Sequence, residues 1–188
     1  MFVKRFLMIS ILVCFLIFFL VMLNCGKKAV APVSDGNSVN LVKNSSFEEN
    51  GEPTAVGWEG ASSSNLYRDA PPVAGAGEWC LMLSAGCVWQ SALYLLDSIE
   101  DGGIYELSCW ARKEQYGVGG ATVGFSRKWE GDFIKSSPVL SKNWNMISLI
   151  DTLSIAPGDS IYVMLRAEGG FAGSCTGFFD LVQVIKKN

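Results

Sequence analysis

The chain contains no histidine. That absence excludes Ser-His-Asp and Cys-His nucleophile systems, His-ligated zinc and imidazole acid–base chemistry. Charge is also sparse, at 18% of residues, with 15 basic against 18 acidic and no basic run. A mildly acidic chain without a Lys/Arg cluster argues against a nucleic-acid partner. Beyond residue 39 no segment carries an apolar 3.6-residue period of useful length, which removes helical and α/β classes. No internal repeat is present.

The one long apolar run lies at the start. Lys4 and Arg5 precede Phe6 to Leu23, a stretch long enough to span a bilayer, so a retained anchor helix is one reading. The other follows from Met22-Leu23-Asn24-Cys25-Gly26, which resembles a bacterial lipoprotein box. The resemblance implies a signal peptide over 1–24 and lipidation of Cys25. Either reading places the remainder outside the cytoplasmic membrane, in the periplasm or on the cell surface. Residues 25–38 turn to Lys, Ala, Pro, Ser, Gly and Asn and read as a flexible tether. Removing residues 1–24 takes away two bases and no acid, leaving a net charge of −5. Residues 39–188 remain as one domain of about 150 residues, enough to bury its own core.

Within that domain, Gly103 to Lys113 alternates strictly. Tyr105, Leu107, Cys109 and Ala111 share one parity; Glu106, Ser108, Trp110 and Arg112 share the other. Period-2 alternation of this length predicts a strand with one face on a core. The second face sets an indole beside a guanidinium, so it is either covered by a further layer or binds something flat and hydroxylated. Other short strands are predicted from Asn40 to Glu48 through Gly177 to Lys187, separated by turns such as Ala156-Pro157-Gly158-Asp159. Many short strands at regular spacing predict an all-β sandwich or barrel. By parity Gln90, Trp110, Arg112, Met164 and Arg166 would share the face opposite the core, if their strands are neighbours. Trp58, Trp79 and Trp144 fit packing positions.

Outside the signal and Cys25, four cysteines remain: Cys80, Cys87, Cys109 and Cys175. An even number in an exported domain suggests two disulfides, with three possible connectivities. Cys80 and Cys87 flank the turn Ser84-Ala85-Gly86, which would leave Cys109 for Cys175. The alternative is that Cys109, on the core parity, is a buried free thiol.

Several stretches, taken in order, resemble a known family. Asn40-Leu41-Val42-Lys43-Asn44-Ser45-Ser46-Phe47-Glu48 followed by Gly57-Trp58 is similar to the opening of carbohydrate-binding modules attached to cellulases and xylanases. Gly103 to Arg112 resembles their central strand, Asn143-Trp144-Asn145 their late tryptophan strand, and Phe178 to Val184 their closing strand. The resemblance spans about the whole domain and implies a jelly-roll β-sandwich of the galactose-binding-like type. It further implies a structural calcium held by Glu48 and Asp180, with backbone carbonyls completing the shell. For a sugar, Trp110 would be the platform, with Arg112, Arg166 and Gln90 as forked donors and Trp89 and Trp129 as further contacts.

The function expected from these observations is a non-catalytic glycan-binding module, tethered to the membrane, with an oligosaccharide or polysaccharide as partner. A surface lipoprotein using the same sandwich to bind protein is the alternative. A glycoside hydrolase fits least, because paired carboxylates flanking a cleft are required and the acids here sit mostly in turns or beside charged neighbours.

Overall fold

Tyr105, Leu107, Cys109 and Ala111 are all buried, and the strand they define is paired on both sides, as the alternation predicts. The computed structural model describes residues 39–116, 119–127, 132–170 and 173–187. Strands follow in chain order as β1 (Glu48–Glu49), β2 (Glu52–Pro53), β3 (Trp58–Glu59), β4 (Leu66–Arg68), β5 (Trp79–Ala85) and β6 (Trp89–Leu95). Next come β7 (Gly103–Tyr116), β8 (Gly119–Ser126), β9 (Phe133–Val139), β10 (Asn145–Leu153), β11 (Tyr162–Gly169) and β12 (Ser174–Lys187). A single 3₁₀ turn, Ser63–Asn65, is the only helical element among the described residues.

Two five-stranded sheets form, ordered β10-β7-β12-β5-β4 and β3-β6-β11-β8-β9, and every pairing is antiparallel. β1 and β2 pair separately as a two-stranded sheet; within the two larger sheets only β4–β5 and β8–β9 join neighbours, and from β5 to β8 and from β9 to β12 each connection crosses to the other sheet. This is a jelly-roll sandwich. Its core interleaves Leu81, Leu83, Leu107, Phe179 and Val184 of the first sheet with Val123, Phe125, Val163 and Leu165 of the second. Each such side chain contributes about 1.5–3 kcal/mol on burial. The unit Ser34–Asn188 contains all of this core.

Asn40 to Glu48 departs from the expected strand. Asn40 Oδ1 accepts from both Val42 N and Val184 N, and Phe47 sits at φ 57, so the segment runs along β12 without a regular ladder. Trp58 packs in the core against Phe47 and Tyr94, as expected. Trp79 and Trp144 do not; both are only half-buried, and the Trp144 Nε1 donates to Ala70 O at the surface.

All four described cysteines are free, against the expectation of two disulfides. Along β7–β12, Cys175 lies opposite Gln115, six positions from Cys109, or roughly 20 Å at strand rise. A disulfide needs Cα atoms within about 7 Å. Cys80 sits in β5 with most of that extended strand between it and Cys87. Burial pushes the Cys80 thiol up to about 12 and raises those of Cys109 and Cys175 as well, so these three behave as protonated, inert small hydrophobes.

Candidate carbohydrate-binding face

The residues expected on a single face are divided between the two sheets. Trp110 and Arg112 belong to β7 in the first sheet; Trp89, Met164 and Arg166 belong to β6 and β11 in the second. The expectation of one shared face is therefore corrected: it required β7 to neighbour β6 or β11, and a crossing connection separates them.

On the first sheet, the outer side of β7 is buried at Ser108 and Trp110, although Ile104 and Glu114 at its two ends are exposed. Trp110 is only 7% exposed. The segment following β4 is fastened to this face: Asp69 accepts from Arg112 Nε at 3.0 Å and Nη2 at 2.7 Å, and Ala70 O accepts from Trp144. Arg112 also stacks on Phe178 at 3.6 Å and lies 5.5 Å from Trp144. Burial by itself would lower the Arg112 pKa, but hydrogen bonds to Asp69 and Glu114 hold it above its ordinary value. A guanidinium so committed is a clamp for the covering segment, leaving it little capacity for a sugar hydroxyl. Of the alternatives open in the sequence, coverage holds for Trp110.

Gln90 is also misplaced by the parity argument. It shares the parity of the core residues Ala92 and Tyr94, and its Oε1 accepts from Ser84 N at 2.8 Å. Trp129 lies outside the described residues.

On the second sheet the arrangement differs. Trp89 is 48% exposed, at the start of β6. Arg166 comes from the adjacent strand β11, where it faces Ser91 and donates Nε to Ser91 Oγ at 3.2 Å. Its guanidinium lies 5.1 Å from the Trp89 ring and 5.0 Å from the Phe133 ring. Beneath it Met164 is fully buried, with its Sδ 3.4 Å from Nη2. Phe133 reaches over β8 because position 124 is glycine: a Cβ there would stand 2.6 Å from the Phe133 ring and 2.3 Å from Lys135 O. The result is a row running across the strands, from Trp89 through Arg166 to Phe133. Two ring faces flank a forked donor, the combination that recognises a CH-rich, hydroxylated surface.

Phe133 and Ser91 were not among the residues expected to participate. Gly124 was the available signal for Phe133, since a glycine within a strand marks close approach of another group.

Glu48 and Asp180 approach each other beside the first sheet. A bulge in β12 between Asp180 and Gln183 is held by Leu181 N donating to Asp180 Oδ1 at 2.7 Å, and Asp180 is 1% exposed. Burial pushes its carboxyl up to about 8, with the Glu48 charge adding to the rise. Glu48 Oε2 accepts from Glu78 N and Trp79 N, and its carboxylate fills the space where a side chain at Gly77 would stand.

No family model matches the sequence, and no curated protein sequence matches it either. Solved structures do. A CBM61 module in complex with β-1,4-galactotriose matches at TM-score 0.51 and 20% identity, over 80% of this chain and 100% of that one. The fold is a carbohydrate-binding-module-like jelly roll. The xylan-binding CBM22-1 domain of Paenibacillus barcinonensis Xyn10C matches at TM-score 0.51 and 17% identity, over 79% of this chain and 95% of that one. The Stig cyclase Fisc of Fischerella sp. TAU matches at TM-score 0.58 and 13% identity, over 80% and 98%. In two further matches this chain spans only 22% and 27% of the solved protein. The jelly roll thus serves binding modules and a cyclase alike, and identities this low establish the fold alone.

Proposed function

We propose that the domain is a non-catalytic glycan-binding module whose site is the outer face of the second sheet. The observation that carries this reading is the row Trp89–Arg166–Phe133, with an indole half open to solvent beside a guanidinium. Catalysis has less support. Asp180, whose carboxyl burial holds protonated toward pH 8, is almost wholly enclosed and so is not offered to a substrate. A glycan array probed with the chain from Ser34 onward tests the reading. Retention of an oligosaccharide by the wild type and its loss in Trp89→Ala is expected. Absence of any glycan ligand, together with capture of a protein partner, would favour the adhesive alternative.

Attachment to the membrane through a lipidated Cys25 is part of the proposal. Leu41 N donates to Val184 O near the end of β12, whereas Ala85, just before Trp89, pairs with Cys175 at its beginning. Nine positions of strand separate these ends, roughly 30 Å. Leu41, beside Val184, therefore lies at the opposite end of β12 from the Ala85–Cys175 pair that precedes Trp89. Cys25→Ala is expected to abolish labelling by a fatty-acid analogue, and unchanged labelling contradicts the anchor.

Calcium at Glu48 and Asp180 is the remaining element. The site fits a cation in one respect, since Glu48 lies close enough to Asp180 to raise its pKa further, and burial disfavours the charge on Asp180. No group of three or more His, Cys, Asp or Glu side chains is assembled for a metal among the described residues, so backbone carbonyls would complete the shell. A titration tests this. With chelator present, Asp180 is raised from its ordinary 3.8 to about 8, so the folded state holds its proton longer than the unfolded state. The contribution of Asp180 to stability is then fully present below pH 3.8 and is lost as pH rises through about 8. Added calcium should remove the decline, and Asp180→Asn should abolish both the slope and the calcium response. Melting curves that superimpose with calcium and with chelator at pH 8 would remove the ion from this account.

A further inference from the structure

The outermost strand of the first sheet, β10, differs from the other sheet edges. β3 and β4 are two and three residues long, and β9 carries Lys135 and Pro138, features that discourage further pairing. β10 is nine residues long, and Asn145-Met146-Ile147-Ser148-Leu149-Ile150 contains neither charge nor proline. Two hydrogen bonds fix which of its main-chain groups point outward. Leu153 O is taken by Gly102 N on the inner side, whereas Ile150 O is reached by Lys135 Nζ at 2.7 Å from outside the sheet. Main-chain groups alternate sides along an antiparallel strand. Met146, Ser148 and Ile150 therefore present both N–H and C=O to the open edge, while Ile147 and Leu149 bond to β7.

This edge is self-complementary. The run Met146-Ile147-Ser148-Leu149-Ile150 is close to a palindrome in character about Ser148. Met146 is 40% and Ile150 50% exposed, both on the outer face. Antiparallel pairing centred on Ser148 sets Met146 against Ile150 of the second copy and Ser148 against itself, so each outward donor meets an outward acceptor. Between the edge and β9 lies a cleft of about 320 Å³ lined by Ser137, Pro138, Leu140, Asn145, Met146 and Ser148. Lys135 is the local guard; its flexible, half-exposed side chain can remain 3.7 Å from Asp151 when it releases Ile150 O.

We propose that β10 pairs with β10 of a second copy of this chain, antiparallel about a two-fold axis through Ser148, joining the two first sheets into one. Because that axis is perpendicular to the sheets, both second-sheet outer faces would look the same way. On the glycan reading, the pair would then engage one polysaccharide surface with the gain of two linked sites. The dimer itself does not depend on that reading.

Sedimentation of the chain from Ser34 onward, whose core is complete, tests the proposal. A concentration-dependent dimer is expected. Ser148→Pro removes an outward N–H and the hydroxyl that donates to Glu106, leaving the main-chain ladder to β7 intact, and Ile150→Lys places like charges in the seam. Each should raise the dimer dissociation constant by roughly tenfold or more, and Ile150→Lys, at a half-exposed position, should do so without lowering the monomer's melting temperature. Amide exchange at Met146, Ser148 and Ile150 should slow in the dimer, a signature that stands even if the proline variant folds poorly. A wild type that stays monomeric, or one whose edge captures only a foreign peptide strand, overturns the proposal. So does a dimer that neither substitution weakens and whose edge amides exchange freely.

Discussion

Truncating Trp110 to alanine is expected to destabilise the domain by about 3–5 kcal/mol while leaving glycan binding unchanged. The ring is buried on β7 opposite Asp180 and two positions before Arg112, which Asp69 clamps, so its removal opens a cavity there. Its Nε1 is buried without a hydrogen-bond partner among the described residues, so no polar contact is lost with it. The whole cost comes from packing. Denaturant unfolding of Trp110→Ala against wild type reads this cost, and a midpoint that hardly moves would show that the ring is not buried.

The converse result is expected at Trp89. Its ring is about half exposed and contacts Arg166 at its edge of the sheet, so Trp89→Ala leaves little cavity and should cost less than about 1 kcal/mol of stability. Binding should weaken by more than about tenfold, as for an aromatic anchor contributing 2 kcal/mol or more. Arg166→Met, which keeps much of the stem over Met164 but loses the fork, should weaken binding with only a modest change in stability. Relative to the expectation, which had Trp110 as the platform and Trp89 as a further contact, the proposed platform moves from Trp110 to Trp89. Trp110, which alternation set opposite the core, is buried, and Trp89, at the start of β6 after a connection that crosses between the sheets, is about half exposed.

That move shows where the sequence is informative and where it stops. Alternation in Gly103 to Lys113 identified the strand and its core-facing residues correctly, because burial of every second side chain is written directly into the pattern. The all-β sandwich follows from such patterns and is what the structure shows. Parity says which side of its own sheet a residue faces, but not which sheet it occupies. Trp110 and Arg166 have the same parity and lie on opposite faces of the sandwich, because β7 pairs with β10 and β12 while β11 pairs with β6 and β8. Nor does alternation reveal that Asp69, forty-three positions before Arg112, will seal a face. Such contacts depend on where a loop lands, and loops carry no period. Gln90 failed for a simpler reason: the parity of β6 is set by Ala92 and Tyr94, which were not used to phase it. The disulfides failed because an even cysteine count says nothing about strand register, and register keeps Cys109 and Cys175 far apart.

The central claim is that sugars meet the second sheet at Trp89 and leave the first sheet untouched. Indole N–H resonances of the isotope-labelled domain, followed during titration with xylo-, cello- and galacto-oligosaccharides, test it most directly. The account predicts that the Trp89 indole signal shifts or broadens with at least one of these ligands while those of Trp110 and Trp58 stay in place. A shift at Trp110 with Trp89 unmoved would contradict it.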